Sequence, residues 1–166
     1  MDPYYLLHKA RSVEVDMDVL KSSRMMNDWM PYHLIHRIER HLKDLGKSIE
    51  GSRVLVMGVT FKPDVSDVRN SKVLEMLDIL LFKGVQLEVI DPIADRSTLR
   101  LAEEIEMVDQ AKGNYDVMIH AVGHQAFLES DPLSLEENLS DHSVIMDISG
   151  QWRVHQEWFQ GIYEAL

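Results

Sequence analysis

Apolar residues recur at Met26, Met30, Leu34, Ile38, Leu42 and Leu45, close to the i, i+4 spacing of a helix, with Trp29 and Ile35 widening the stripe. The pattern predicts a long amphipathic helix that starts around Asn27 to Pro31 and stops at Gly46, a residue suited to the turn that ends a helix. Its opposite face carries Arg37, Glu39, Arg40, Lys43 and Asp44. Beyond Gly51 the period changes. Arg53-Val54-Leu55-Val56-Met57-Gly58 is a continuous apolar run, as expected of a strand buried on both faces of a parallel sheet. Residues 71–83 return to helical spacing at Val73, Leu74, Leu77, Leu80 and Leu81, and Gly84 closes them. Further strands are expected at 85–90, 116–122 and 143–148, with a helix at 97–105 and a short one at 132–139. Strands separated by helix-length crossovers imply an α/β fold, a doubly wound parallel sheet preceded by a long helix.

Composition changes this picture little but excludes much. The 166 residues are 45% hydrophobic and 27% charged, an ordinary balance for one globular domain. There is no cysteine, so no disulfide, thiol nucleophile or thiolate metal site can form within the chain. A net charge of −11 disfavours nucleic acid or an anionic membrane as a bulk partner, and any anion must be held locally. The start Met1-Asp2-Pro3-Tyr4-Tyr5 lacks a basic leader region, and no apolar run approaches the ~20 residues of a membrane span. A cytoplasmic protein is the expectation. His33, His36 and His41 share the long helix without an H-E-x-x-H arrangement, so no metal site is expected.

In open α/β sheets ligands collect at the carboxyl ends of the strands. The first such end is followed by residues 58–71, with Lys62 and Arg69 in the loop and Asn70 or Ser71 placed to cap the next helix. The loop holds one glycine, Gly58, and is not the G-x-G-x-x-G dinucleotide fingerprint. It can hold phosphate through its two cations and the helix start, or Lys62 and Arg69 can instead pair with Asp64 and Asp67 on a solvated loop. Asp91-Pro92 ends the second strand either as a ribose contact or as an ordinary turn. His124, after Gly123 at the third strand end, either faces a ligand or caps a helix, and Arg153 is the cation nearest the fourth.

Read together, G-V-T-F-K-P-D-V-S-D-V-R-N-S over residues 58–71 and then Asp91-Pro92-Ile93-Ala94 resemble the C-terminal domain of the UDP-glucose/GDP-mannose dehydrogenase family, with its G-x-x-F-K-x-x-x-x-D-x-R-x-S and D-P-x-A motifs. Asn27 to Pro31 is similar to the N-x-x-M-P start of that family's central helix. Asp2-Pro3-Tyr4-Tyr5-Leu6 resembles the D-P-Y-Y-L segment of members acting on UDP-N-acetylhexosamines. The resemblance implies a helical connector and dimerisation segment over residues 1–50 and a Rossmann-like nucleotide-sugar-binding domain over 51–166. It implies Phe61 and Lys62 as substrate contacts and Asp2 as the catalytic aspartate, active only in an intact enzyme. Arg69 is either a ligand contact or an ordering residue of the loop.

Many relatives carry an arginine where this chain has Ser149; either Arg153 supplies that contact or the contact is weaker. Family enzymes use two NAD+ to oxidise the sugar C6 alcohol to a carboxylate through a cysteine-bound intermediate. By the family spacing that cysteine falls ahead of Met1, and the NAD domain has no counterpart here. The expectation is therefore a UDP- or UDP-sugar-binding portion that is inactive alone, binds no NAD itself and pairs with a copy of itself through residues 25–45. Two other readings stand beside it: a subunit complementing a separate NAD domain, and a non-enzymatic dimerisation or nucleotide-sensing module.

Overall fold

The computed structural model describes residues 2–129 and 135–166. β1 (Arg53–Met57) is the buried run that the sequence predicts, and β2 (Gln86–Ile90) and β4 (Tyr115–His120) flank it in parallel register, with Val54 opposite both Leu87 and Val117. β3 (Glu106–Met107), β5 (Leu139–Asp147) and β6 (Ile162–Ala165) extend this to six parallel strands in the order β3-β2-β1-β4-β5-β6. The order reverses between β1 and β4, so the crevice of a doubly wound sheet opens at their carboxyl ends. The expected α/β, Rossmann-like architecture is present.

Alternation along each strand divides the core in two. Val54, Val56, Val117, Ile119, Val144 and Met146 face α2 (Asp18–Asp44) and α3 (Lys72–Phe82), which contribute Leu34, Ile35, Ile38, Leu42, Met76, Leu77 and Leu80. Leu55, Met57, Met118 and Ile145 face the other way, against Phe127, Trp152 and Phe159. Each fully buried Leu or Ile contributes roughly 1.5–3 kcal/mol relative to exposure, so the lower half of α2 is welded to the sheet. Arg37 and His41 of α2 also reach the Glu164 carboxylate on β6.

The long helix starts earlier than its apolar stripe suggests. α2 begins at Asp18, which places Pro31 in its interior rather than in its first turn. The upper turns are held by α1 (Asp2–Ser12), whose Tyr4 hydroxyl donates to the Asp28 carboxylate at 2.8 Å while the Arg24 guanidinium lies 4.7 Å from the Tyr4 ring centre. These polar contacts leave no hydrophobic period to read. At the other end the chain leaves the helix through Gly46 at φ +75°, with Lys47 N–H donating to Leu42 C=O as in a Schellman turn.

Residues 97–105 are not helical. The Asp95 carboxylate accepts from Ser97 N–H and Ser97 Oγ, and its carbonyl from Thr98 N–H, a nest of side-chain turns that competes with helix formation. Leu99 and Ile105 still reach the core, which explains the apolar spacing. β5 starts at Leu139 rather than at 143: its exposed first half lacks an apolar signal and is held by Lys47 Nζ, which donates to Asp116 Oδ1, Ser140 Oγ and Asp141 C=O. The helix expected at 132–139 falls partly on residues outside those described. Among the described residues no helix is long and apolar enough to cross a membrane.

Candidate functional site

At the end of β1 the chain turns through Gly58 at φ +88°, donating its N–H to Ile90 C=O at 2.8 Å and lying hard against Val122. The loop that follows is anchored by a buried carboxylate. Asp91 Oδ2 accepts from Val59 N–H at 2.7 Å and Thr60 N–H at 3.2 Å, and Oδ1 from Ile93 N–H at 2.8 Å and Ala94 N–H at 2.7 Å. Asp91 is therefore neither a free ribose ligand nor an ordinary turn residue; it ties the loop after β1 to the loop after β2. His124 takes neither role read from the sequence. It stands at the N-cap of α4 (Gln125–Leu128), but its side chain makes no capping bond and is buried against Asp91, Thr60 and Asp64.

Between this loop and the top of α2 lies a cleft of about 630 Å³, lined by Tyr4, Arg24, Asn27, Phe61, Ser71 and Lys72 among others. Ser71 caps α3, its hydroxyl accepting from Val73 N–H, as the sequence suggests. Two cations face the cleft. Lys72 Nζ lies 2.9 Å from Asp28 Oδ1 and 2.6 Å from Glu75 Oε1, and Arg24 lies 3.6 Å from Asp28. The hydrogen bonds from Lys72 and Tyr4 hold the Asp28 carboxyl below its ordinary range. A helix start, two guanidinium or ammonium groups and several amide and hydroxyl donors suit the cleft to an anion with polar substituents.

The sequence-predicted residues fall in different places. Phe61 lines the cleft and is 59% exposed, and Lys62 beside it has no ion-pair partner among the described residues. Arg69 turns away: its Nε and Nη2 grip Asp67 at 2.9 and 2.7 Å, and its side chain is 84% exposed. That fork, with the Arg69 backbone N–H, draws Asp67 down to about 2. The pairing of Arg69 with Asp67 is thus present and that of Lys62 with Asp64 is not. Arg153 lies on the 3-10 helix (Arg153–Trp158) and donates to the Leu166 C=O at 2.6 Å. Ser149 donates to Asp147. The role read for Asp2 concerns a side chain outside the described residues. Arg24 and Lys72, 48 positions apart, carry no joint signal in the sequence; only the packing of α2 on α3 brings them to one cleft.

A second buried carboxylate organises the β4 and β5 ends. Asp147 accepts from Ser149 Oγ at 2.8 Å, Gly150 N–H at 2.9 Å, Trp152 N–H at 2.8 Å and Tyr163 O–H at 2.7 Å, with His120 Nδ1 at 3.2 Å. Burial works to raise its pKa, but the bonds from His120, Tyr163, Ser149 and Trp152 outweigh it and hold it at about 2. A carboxylate depressed on folding stabilises above its unfolded value near 4 and loses that contribution as pH falls through 2. Urea unfolding of the Asp147→Asn variant should therefore lack about 2 kcal/mol of acid-dependent stability that the parent loses between pH 4 and 2. Parallel acid limbs in the two proteins would count against this.

Residues 55–154 match the UDP-glucose/GDP-mannose dehydrogenase family, UDP binding domain. The chain is 30% identical over 149 residues to a UDP-N-acetyl-D-glucosamine 6-dehydrogenase of Salmonella typhi, covering 89% of this chain and 35% of that protein. A protein of the same name in Pseudomonas aeruginosa is 33% identical over 128 residues, covering 76% of this chain and 30% of that one. The chain thus spans about a third of the length of these curated relatives. An NDP-N-acetyl-D-galactosaminuronic acid dehydrogenase of Methanosarcina mazei shares the fold, with TM-score 0.78, 23% identity and coverage of 99% of this chain and 36% of that one. A UDP-glucose dehydrogenase of Pyrobaculum islandicum does so too, with TM-score 0.77, 23% identity and coverage of 98% and 35%. With its motif loop standing at the carboxyl end of β1 and most of its sheet inside the matched span, the chain belongs to the UDP-glucose/GDP-mannose dehydrogenase family and carries that family's UDP binding domain.

Proposed function

We propose that this chain binds the nucleoside diphosphate half of a UDP-sugar at the cleft beside the loop over residues 58–71. The observation that carries the reading is the adjacent pair Phe61 and Lys62: an exposed aromatic ring and an ammonium without an ion-pair partner among the described residues, set on a rigidly anchored loop. Such a pair offers a stacking surface and a counter-charge for a diphosphate. Titration calorimetry should show UDP uptake by the folded chain. Lys62→Ala should weaken it about tenfold, the worth of one charged hydrogen bond, and Lys62→Arg should weaken it less. Equal affinity in all three would remove Lys62 from the site. Arg153 and Arg69 are the next cations to test, and both must leave a present partner to reach a ligand.

Relatives named as 6-dehydrogenases support a wider activity for the protein these residues serve. Oxidation of the sugar C6 alcohol to a carboxylate needs a cysteine and a dinucleotide-binding loop, and these 166 residues contain neither. The residues at the end of β1 do not build that loop: Gly58 stands alone, and the α3 start is capped by its own Ser71. We accordingly assign NAD to residues outside this chain; Asp2 would join the catalytic group only in an intact enzyme, and these residues alone should show no dehydrogenase activity. We read these residues as a portion of a cytoplasmic enzyme of polysaccharide biosynthesis. Residues 1–50 serve as connector and dimerisation segment, and 51–166 as the nucleotide-sugar domain.

A specific observation also favours self-association through residues 25–45. Met25, Met26, Trp29 and Tyr32 are all more than half exposed on α2, a contiguous apolar surface of the kind that marks contact sites. Sedimentation at tens of micromolar should give a dimer, and Trp29→Asp should raise its dissociation constant by roughly tenfold or more. A monomer with the native Trp29 would end the proposal.

A further inference from the structure

Phe61 and Lys62 sit between two anchors, one at the root of their loop and one at its tip. At the root, Asp91 holds Val59 and Thr60 by their N–H groups. At the tip, Asp64 takes φ +58°, a left-handed conformation unusual for a residue with a side chain. Its N–H donates to His124 Nδ1 at 2.9 Å, and its Oδ1 accepts from Gln125 N–H at 3.0 Å. Because Nδ1 is an acceptor, the His124 proton resides on Nε2, which faces Asp91 Oδ2 and Thr60 Oγ1, each at 3.2 Å. The Thr60 hydroxyl in turn donates to Lys62 C=O at 3.1 Å. One neutral imidazole thereby joins both anchors, with every proton accounted for: Asp64 N–H to Nδ1, Nε2–H to Asp91 and Thr60, and Thr60 O–H to the Lys62 carbonyl.

His124 is itself fully buried and packs edge-on against Phe127, with ring centres 5.6 Å apart, so it cannot touch a ligand in the cleft. Its ring bonds run to Thr60 and Asp64, on either side of Phe61 and Lys62, and to the Asp91 carboxylate that holds the root of that segment. We propose that His124 is a positioning residue for the nucleotide site, locking that segment in one conformation from below. This rests on the nucleotide reading of the cleft. Because a preordered loop carries a smaller entropic cost at binding, loosening it lowers affinity without removing any ligand contact.

The two ring nitrogens can be separated by substitution. His124→Asn places an amide oxygen near the Nδ1 position and keeps the Asp64 bond; His124→Gln reaches the Nε2 position and loses it. Hydrogen exchange at the Asp64 amide and UDP affinity by calorimetry are measured on the 166-residue chain. Asp64 exchange should accelerate about tenfold in His124→Gln and His124→Ala, with a parallel loss of UDP affinity, while His124→Asn stays within about threefold of the parent in both. A side chain that only filled the core would give Asn and Gln variants alike in both readouts, and that result overturns the proposal.

Gln125→Pro provides a second route that leaves the core intact. It removes the N–H received by Asp64 Oδ1 at a first-turn helix position where proline is tolerated. Faster Asp64 exchange with weaker UDP binding supports tip anchoring, and no change in either overturns it. If the unsubstituted chain takes up no UDP, the nucleotide reading fails, while Asp64 exchange still decides whether His124 holds the loop.

Discussion

Gly58→Ala should cost roughly 3–5 kcal/mol, enough to unfold much of the protein at 37 °C if its total stability lies in the usual range of about 5–15 kcal/mol. The residue turns the chain at φ +88°, where a Cβ is strained whatever the space around it. There is also no space: a Cβ would lie 2.5 Å from Val122 Cβ, 2.8 Å from Val122 O and 2.9 Å from Val122 N. Two of these three are backbone atoms of the segment after β4, whose Ala121 and Val122 N–H groups are fixed to Met57 C=O. Relief would therefore have to part β1 from β4 at the centre of the sheet, where Val54, Leu55, Val56 and Met57 pair with Val117 to His120. Urea midpoints for Gly58→Ala and for Gly46→Ala make the comparison. Gly46 also has positive φ, but nothing lies within 4 Å of its Cβ position, so its loss should be no more than about 1 kcal/mol. Similar midpoints would show that the close approach at Val122 yields easily.

The contrast between these two glycines shows which features can be read from residue order. Gly46 closes an apolar stripe, and a one-dimensional pattern is enough to place it. Gly58 is visible as the end of a buried run, but the tightness of its contact comes from a segment 64 residues later. The same division runs through the rest of the fold. Strands with continuous burial, such as β1 and β4, declare themselves, whereas β3 pairs through two residues and β6 through four partly buried ones. The first turns of α2 are held by Tyr4, Arg24 and Asp28, a polar cluster without a period. Residues 97–105 carry a helical spacing that the Asp95 turn defeats, because local side-chain bonds satisfy the backbone first.

For the site, the loop motif is legible as a string, and so is the capping role of Ser71. The cleft is not, since its two cations come from α2 and the start of α3. Neither is the engagement of Arg69, whose fork closes on Asp67 two residues away rather than on the cleft. Spacing alone places a cation near a strand end; only the surrounding donors and acceptors determine which way it faces.

Asp91 gives the second large effect. Asp91→Ala leaves Val59, Thr60, Ile93 and Ala94 N–H without their acceptor, in a place where Val59 and Thr60 are almost wholly buried, and it strips His124 Nε2–H of one of its two partners. Unmet buried donors cost about 1–3 kcal/mol each before relaxation, and two of the four lie where water has little access. A loss of roughly 3–5 kcal/mol is expected for Ala, as for other broken buried charge networks. Asp91→Asn keeps one acceptor oxygen but turns an NH2 group toward the other pair of donors, so it should recover no more than about half of that loss. Thermal or urea unfolding in the absence of nucleotide decides between two uses of this carboxylate. A residue kept for a ribose would leave unfolding unchanged and alter only ligand affinity. A residue that fastens the loop after β1 to the loop after β2 must lower stability first, with Phe61 and Lys62 losing their fixed placement as a consequence.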